Sequence, residues 1–127
     1  MRTCPSCGFE NANSAKTWVV ELGFALLELG RESDLLDMEH ELGPQTPWRD
    51  AALAIGRGDL VHAADTLGTT GSTAFEAHAR LRAAQRLSGE GRRSEAAEQL
   101  AGALSFYRGV DATARVREGE ALLAAAS

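Results

Sequence analysis

Glycine recurs at three comparable places in the chain, and this recurrence limits the folds that the sequence can form. The three segments that share the pattern are 29–36, 57–64 and 90–97. Each has a Gly, then four residues of which at least two are polar, then an apolar pair in a helical pattern. The glycines are Gly30, Gly58 and Gly91, and a Gly between two helices permits a tight turn with positive φ. The recurrence therefore predicts three helical hairpins.

The apolar residues between these breaks recur at helical intervals. In the first series Ala79, Ala83 and Leu87 are four residues apart, and Leu81, Ala84 and Leu87 are three apart. A second series runs from Ala96 to Leu104 with the same mixed spacing of three and four. The strict alternation that indicates a half-buried strand is almost absent. We therefore expect an all-α fold.

Small and large residues are placed in the hairpins as in the tetratricopeptide repeat, which the chain resembles. The first unit has the pattern Val19-x-x-Leu22-Gly23-x-x-Leu26, and the third has Ala83-Ala84-x-x-Leu87 followed by Ala96, Leu100 and Ala103. Such repeats have a period of about 34 residues. The resemblance implies antiparallel hairpins that form a short right-handed α-solenoid. The expected units are 15–43, 46–68 and 73–109, with a capping helix at 111–125, and together they form one domain, 14–127.

Charge and composition exclude several classes of function. Thirteen Lys and Arg against 18 Asp and Glu give a net charge of −5, which disfavours a nucleic-acid surface. No apolar stretch approaches the ~20 residues that span a bilayer, so we expect no membrane partner. The N-terminus lacks the apolar core of a secretory signal. These features predict a cytoplasmic protein with reduced cysteines.

The first 13 residues form a separate head without helical period. Cys4-Pro-Ser-Cys7-Gly8 has the spacing of half a zinc site, because two thiolates two residues apart can bind one ion. It also resembles the first half of a zinc ribbon. Two chains that each contribute Cys4 and Cys7 would supply four ligands in a homodimer. An inert remnant and a redox pair are the alternatives, and zinc is the only cofactor that the sequence suggests.

Several motifs resemble the C-terminal helical tail of large bacterial adenylate/guanylate cyclase proteins that carry an ATPase module. The resemblance extends from about Ala25 to the C-terminus and is clearest in the stretches 80–84, 89–97, 103–108 and 112–125. The zinc ribbon often begins the same proteins. The resemblance implies a regulatory or scaffolding tail. It does not imply cyclase activity, because the metal-binding carboxylates and nucleotide pocket of that reaction belong to a separate domain, so we expect no enzyme.

The repeat register also predicts a concave groove that binds a protein partner. The residues that the register places in this groove are Val20, Phe24, Glu28, Trp48, His78, Leu81 and Gln85. Trp48 follows Pro47 at a helix start, so its side chain fits either the groove or the core. The sequence therefore favours a noncatalytic protein interaction module. The alternative is a small zinc-binding protein whose head mediates dimerisation or nucleic-acid contact.

Overall fold

A computed structural model of the protein describes the backbone of residues 5–126 and the side chains of residues 17–125. Within the described backbone there are seven α-helices, one short 3-10 helix at Glu39–Glu41, and no strand. The α-helices are α1 (Pro5–Glu28), α2 (Asp34–Asp37), α3 (Pro47–Gly56), α4 (Leu60–Thr69), α5 (Thr73–Gly89), α6 (Arg93–Gly109) and α7 (Thr113–Ala126). None of these helices combines the length and the apolar character needed to cross a bilayer. The all-α prediction is confirmed.

The chain divides into two compact units, Met1–Gly58 and Asp59–Ser127. In the N-terminal unit, α1 and α2 pack against α3. In the C-terminal unit, α5 packs against α4, α6 and α7, and α6 also packs against α7. The repeat register groups α3 and α4 in the unit 46–68, whereas the structure assigns them to different compact units. The physical reason is that α3 packs against α1 and α2, while α4 packs against α5.

The predicted glycine turns have the backbone conformation that the sequence analysis expects. Gly30, Gly58 and Gly91 have φ values of 71°, 80° and 80°. These values lie in the left-handed region, which glycine enters without a steric penalty. Gly58 is followed by Asp59, whose side chain accepts a hydrogen bond of 3.2 Å from the backbone N–H of His62 at the start of α4.

The core of the N-terminal unit lies between α1, α2 and α3. Val20, Leu35 and Ile55 are each 0% exposed. Gly23 lets these helices approach closely, because a Cβ atom at this position would lie 3.2 Å from Ile55 Cδ1 and 3.5 Å from Leu35 Cδ1. Gly23 of the Leu22-Gly23 pattern therefore lies where α1 contacts its neighbouring helices. The helix that follows in the chain, α2, has only four residues.

The core of the C-terminal unit forms where α5, α6 and α7 meet. Its buried residues are Ala77, Leu81, Ala84, Leu100, Ala103, Leu104 and Tyr107. Val116 and Leu122 of the capping helix pack against them, while Leu123 is 42% exposed. Gly119 lets α7 approach α6 closely, since a Cβ atom there would lie 2.6 Å from Leu104 Cδ2. The cap predicted at 111–125 therefore covers one side of this core.

We predict that Ala96→Arg unfolds the C-terminal unit. Ala96 is 2% exposed at the start of α6, so the substitution drives a long cationic side chain into the packed helix pair. An unpaired buried charge costs on the order of several kcal/mol. Circular dichroism should show a loss of helicity and of melting temperature. Ala97→Arg is the matched control, because Ala97 is exposed. If Ala96→Arg and Ala97→Arg both melted at the wild-type temperature, the repeat register that buries Ala96 would be contradicted.

A second prediction concerns Asp111, which has a φ of 55° in the turn between α6 and α7. Side chains with a Cβ atom are strained in this region, although Asp tolerates it better than most residues. Asp111→Gly should therefore raise the free energy of unfolding by about 0.5 kcal/mol. Thermal unfolding should show an increase in Tm, whereas Asp111→Ala should lower it. An equal effect of both substitutions would argue against a left-handed Asp111.

Candidate protein-binding site

The groove residues of the N-terminal unit differ in accessibility. Val20 is 0% exposed and Phe24 is 8% exposed, so both side chains belong to the core. They are not available to a partner in this structure, which corrects the expectation for these two positions. Glu28 is exposed near the end of α1. Trp48 is partly buried in the first turn of α3, so its side chain is neither fully in the core nor fully accessible to a partner.

The groove residues of the C-terminal unit all lie on α5. Leu81 is 0% exposed and packs in the core with α6, which again corrects the expectation. His78 and Gln85 are partly buried on another side of α5. Two turns of helix separate these two residues, so their side chains lie along the same stripe. This stripe is the part of the predicted groove that the C-terminal unit keeps accessible.

A cluster of polar side chains joins this stripe to α7. We call Arg82, Gln85, Arg115 and Glu118 the α5–α7 polar cluster. Arg82 Nη1 donates to Glu118 Oε2 at 2.8 Å and to Gln85 Oε1 at 2.8 Å. Gln85 Nε2 donates to Glu118 Oε2 at 2.9 Å, and Arg115 Nη1 donates to Glu118 Oε1 at 2.8 Å. Both carboxylate oxygens of Glu118 therefore accept hydrogen bonds, and two of the donors come from α5.

The surroundings of Glu118 determine its protonation. Partial burial by itself raises the pKa of Glu118, but hydrogen bonds and charge attraction from Arg82 and Arg115 outweigh it, so the pKa is lowered. Arg82 has a side chain that is only 11% exposed, so its attraction is weakly screened by water. Glu118 thus holds its negative charge between the two guanidinium groups.

Tyr107 lies in the core close to this cluster. It is 7% exposed, and burial raises the pKa of its phenol while the nearby Arg115 and Arg82 lower it less. Its ring packs edge to face against Phe106, with ring centroids 5.5 Å apart and an interplanar angle of 72°. The phenol therefore stays neutral at physiological pH.

The sequence analysis did not single out Arg82, Arg115 or Glu118, although a signal for them is present. Arg82 precedes Gln85 by three residues, and Arg115 precedes Glu118 by three. The two pairs are 33 residues apart, the same distance that separates Gly58 from Gly91. A search for polar pairs at the repeat period would have found the cluster.

A second polar cluster on α5 holds neighbouring helices together. Arg80 Nη2 lies 2.7 Å from Glu76 Oε2 and 3.2 Å from Asp65 Oδ1 of α4. Arg80 Nη1 donates to Gln99 Oε1 of α6 at 2.8 Å. Gly102 makes room for the Arg80 stem, since a Cβ atom there would lie 2.9 Å from Arg80 Cδ. Arg80 therefore connects α5 to both α4 and α6.

The predicted zinc half-site lies outside the side chains that the structure describes. Cys4 precedes the described backbone, and Cys7 falls in α1, which begins at Pro5 inside the stretch that the sequence analysis assigns to a non-helical head. Among the described side chains, no group of three His, Cys, Asp or Glu could hold a metal ion. A zinc dimer through Cys4 and Cys7 would contain about half a zinc ion per chain, which metal analysis can measure.

Comparisons with protein families, curated proteins and solved structures found no match to this chain. The resemblance to a cyclase tail therefore rests on the sequence motifs alone and stays a prediction. What the chain can do has to be argued from the geometry of its own residues.

The α5–α7 polar cluster predicts a specific dependence of stability on pH. Because folding lowers the pKa of Glu118, its carboxylate stabilises the fold above the unfolded pKa of about 4.3. This contribution is lost as the pH falls through the lower, folded-state pKa. Between pH 7 and pH 3, an interval of about four pH units, the Tm of Glu118→Gln should therefore fall less than the Tm of the wild type. Glu120→Gln is the control, because Glu120 forms an exposed ion pair with Arg108 and does not belong to the cluster; its thermal melts are recorded in the same way. An unchanged pH dependence in Glu118→Gln would contradict this account.

Proposed function

We propose that this chain is a noncatalytic helical-repeat module that binds a protein partner. The role that its sequence motifs favour is regulatory or scaffolding, within bacterial signalling of the cyclase or ATPase type. The accessible stripe of α5 and the adjoining side of α7 form the partner surface. Its contributing residues are His78, Arg82, Gln85, Arg115 and Glu118.

The observation that most supports this proposal is the equivalence of α5 and α7. Both helices carry Arg followed three residues later by a polar acceptor, and the two pairs are 33 residues apart. The two helices also pack against each other in the C-terminal unit. In repeat proteins of this kind, first helices of successive units lie side by side and line the binding face. This equivalence is our reason for proposing the cluster as the partner surface.

The chemistry of this surface favours a partner segment that carries hydrogen-bonding side chains. Arg115 is 41% exposed and Glu118 is 31% exposed, so each keeps an accessible edge after pairing with the other. Because hydrogen bonds within the cluster already order its long side chains, binding a partner would cost little further side-chain entropy. The partner would therefore find a preformed surface of alternating charge next to His78.

Site-specific photo-crosslinking tests this proposal. We expect a benzophenone amino acid at position 78 to give a covalent adduct with one defined protein in a lysate of the source organism. The matched control carries the same group at position 97, which is exposed on α6. Because only position 78 lies on the proposed surface, the control should give no such adduct.

The polar cluster provides the second arm of this experiment. Adding Arg115→Glu to the position-78 variant should weaken adduct formation by about tenfold or more, because it reverses the charge facing the partner. Equal adducts from positions 78 and 97 would contradict the proposed surface. Cyclase or ATPase turnover by the isolated chain would contradict the noncatalytic role.

A further inference from the structure

One face of α1 carries apolar side chains that are exposed. Trp18 is 42% exposed and Leu29 is 70% exposed, and Ala25 between them is also exposed. With the partly buried Leu22, they follow the spacing i, i+4, i+7, i+11 of one helix face. Ten of the 13 residues in 17–29 are apolar or Gly. An exposed apolar patch of this kind typically marks a surface that another molecule covers.

The charges beside this face indicate what it would pack against. Glu21 and Glu28 are exposed along one border of the Trp18 stripe, and residues 17–29 contain no Lys or Arg. If two α1 helices packed together through this face, their glutamates would lie close to one another. Residues 17–29 contain no positive side chain that could pair with these glutamates. A complementary surface should therefore carry an arginine or lysine next to an apolar contact.

The C-terminal unit carries such a surface at the turn between α6 and α7. An open cavity of about 320 Å³ lies there, and we call it the α7 recess. It is lined by Arg108, Asp111, Thr113, Val116, Arg117 and Glu120. Arg108 pairs with Glu120 at 2.9 Å. Among the described side chains Arg117 makes no ion pair, so its charge is available to a second molecule.

We propose that Trp18 of one chain inserts into the α7 recess of a second copy. The indole packs against Val116 and stacks with the Arg117 guanidinium, since arginine over a tryptophan face is a favourable cation–π pair. Glu21, one turn from Trp18, pairs with the same arginine at the rim. Tryptophan and arginine are the residues that most often dominate the energy of protein interfaces.

This contact is heterologous, because the two surfaces differ and every copy carries one of each. Repetition of such a contact builds head-to-tail oligomers rather than a closed dimer. The contact uses other residues than the surface proposed for a protein partner. A strictly monomeric protein would therefore overturn this inference and leave the proposed function standing.

Sedimentation velocity of the full chain over an about hundredfold range of concentration tests the inference. The wild-type average mass should rise with concentration and pass that of a dimer. Trp18→Ala and Arg117→Glu should each weaken association by about tenfold or more. The controls are Leu36→Ala, at another exposed apolar residue, and Arg93→Glu, at another exposed arginine, and both should associate like the wild type. Circular dichroism checks that all variants fold.

Mixing the two blocked variants gives the most specific readout. Trp18→Ala keeps an intact recess, and Arg117→Glu keeps an intact Trp18, so one productive contact remains between them. The mixture should form a 1:1 dimer and nothing larger. Monomers in the mixture would overturn the proposal, as would a wild type that stays monomeric. Retained association of Arg117→Glu together with monomeric Trp18→Ala would show that α1 pairs with itself, and would overturn it as well.

Discussion

The packing of α5 against α6 is the interaction on which the C-terminal unit depends. Leu81 and Leu100, 0% and 2% exposed, meet at its centre, and Ala84 and Ala103 beside them are small enough to let the helices approach. Burying a leucine side chain contributes roughly 1.5–3 kcal/mol. The cap α7 adds Val116 and Leu122 to this centre, and Gly119 brings it close enough to do so. Without the α5–α6 pair, α7 would have no apolar surface to cover.

The charged residues of α5 act on top of this packing. Arg80 connects α5 to α4 and α6, whereas Arg82 connects α5 to α7. Both guanidinium groups are mostly buried and pair with carboxylates, so each positive charge that folding removes from water is compensated by a negative charge. Arg115 and Glu118 keep accessible edges next to Arg82, and the proposed partner surface uses these edges.

The amino-acid sequence predicts the helices and the turns well, because both depend on local properties. The helical period and the small residues lead to an all-α fold, and Gly30, Gly58 and Gly91 have the expected left-handed backbone. Accessibility is less predictable, since an apolar residue at a groove position fits the core equally well. Leu81 and Val20 are therefore buried, contrary to expectation. The close contact at Gly119 also depends on tertiary packing, which no local pattern indicates.

Hydrogen exchange of the intact chain, followed residue by residue, tests the central role of the α5–α6 pair most directly. Amides that open only with the core exchange slowest. The account predicts the strongest protection in α5 and α6 around Leu81 and Leu100, with rapid exchange at the turn around Gly91 that separates them. Rapid exchange throughout residues 73–109, or protection that continues unbroken through the turn, would contradict it.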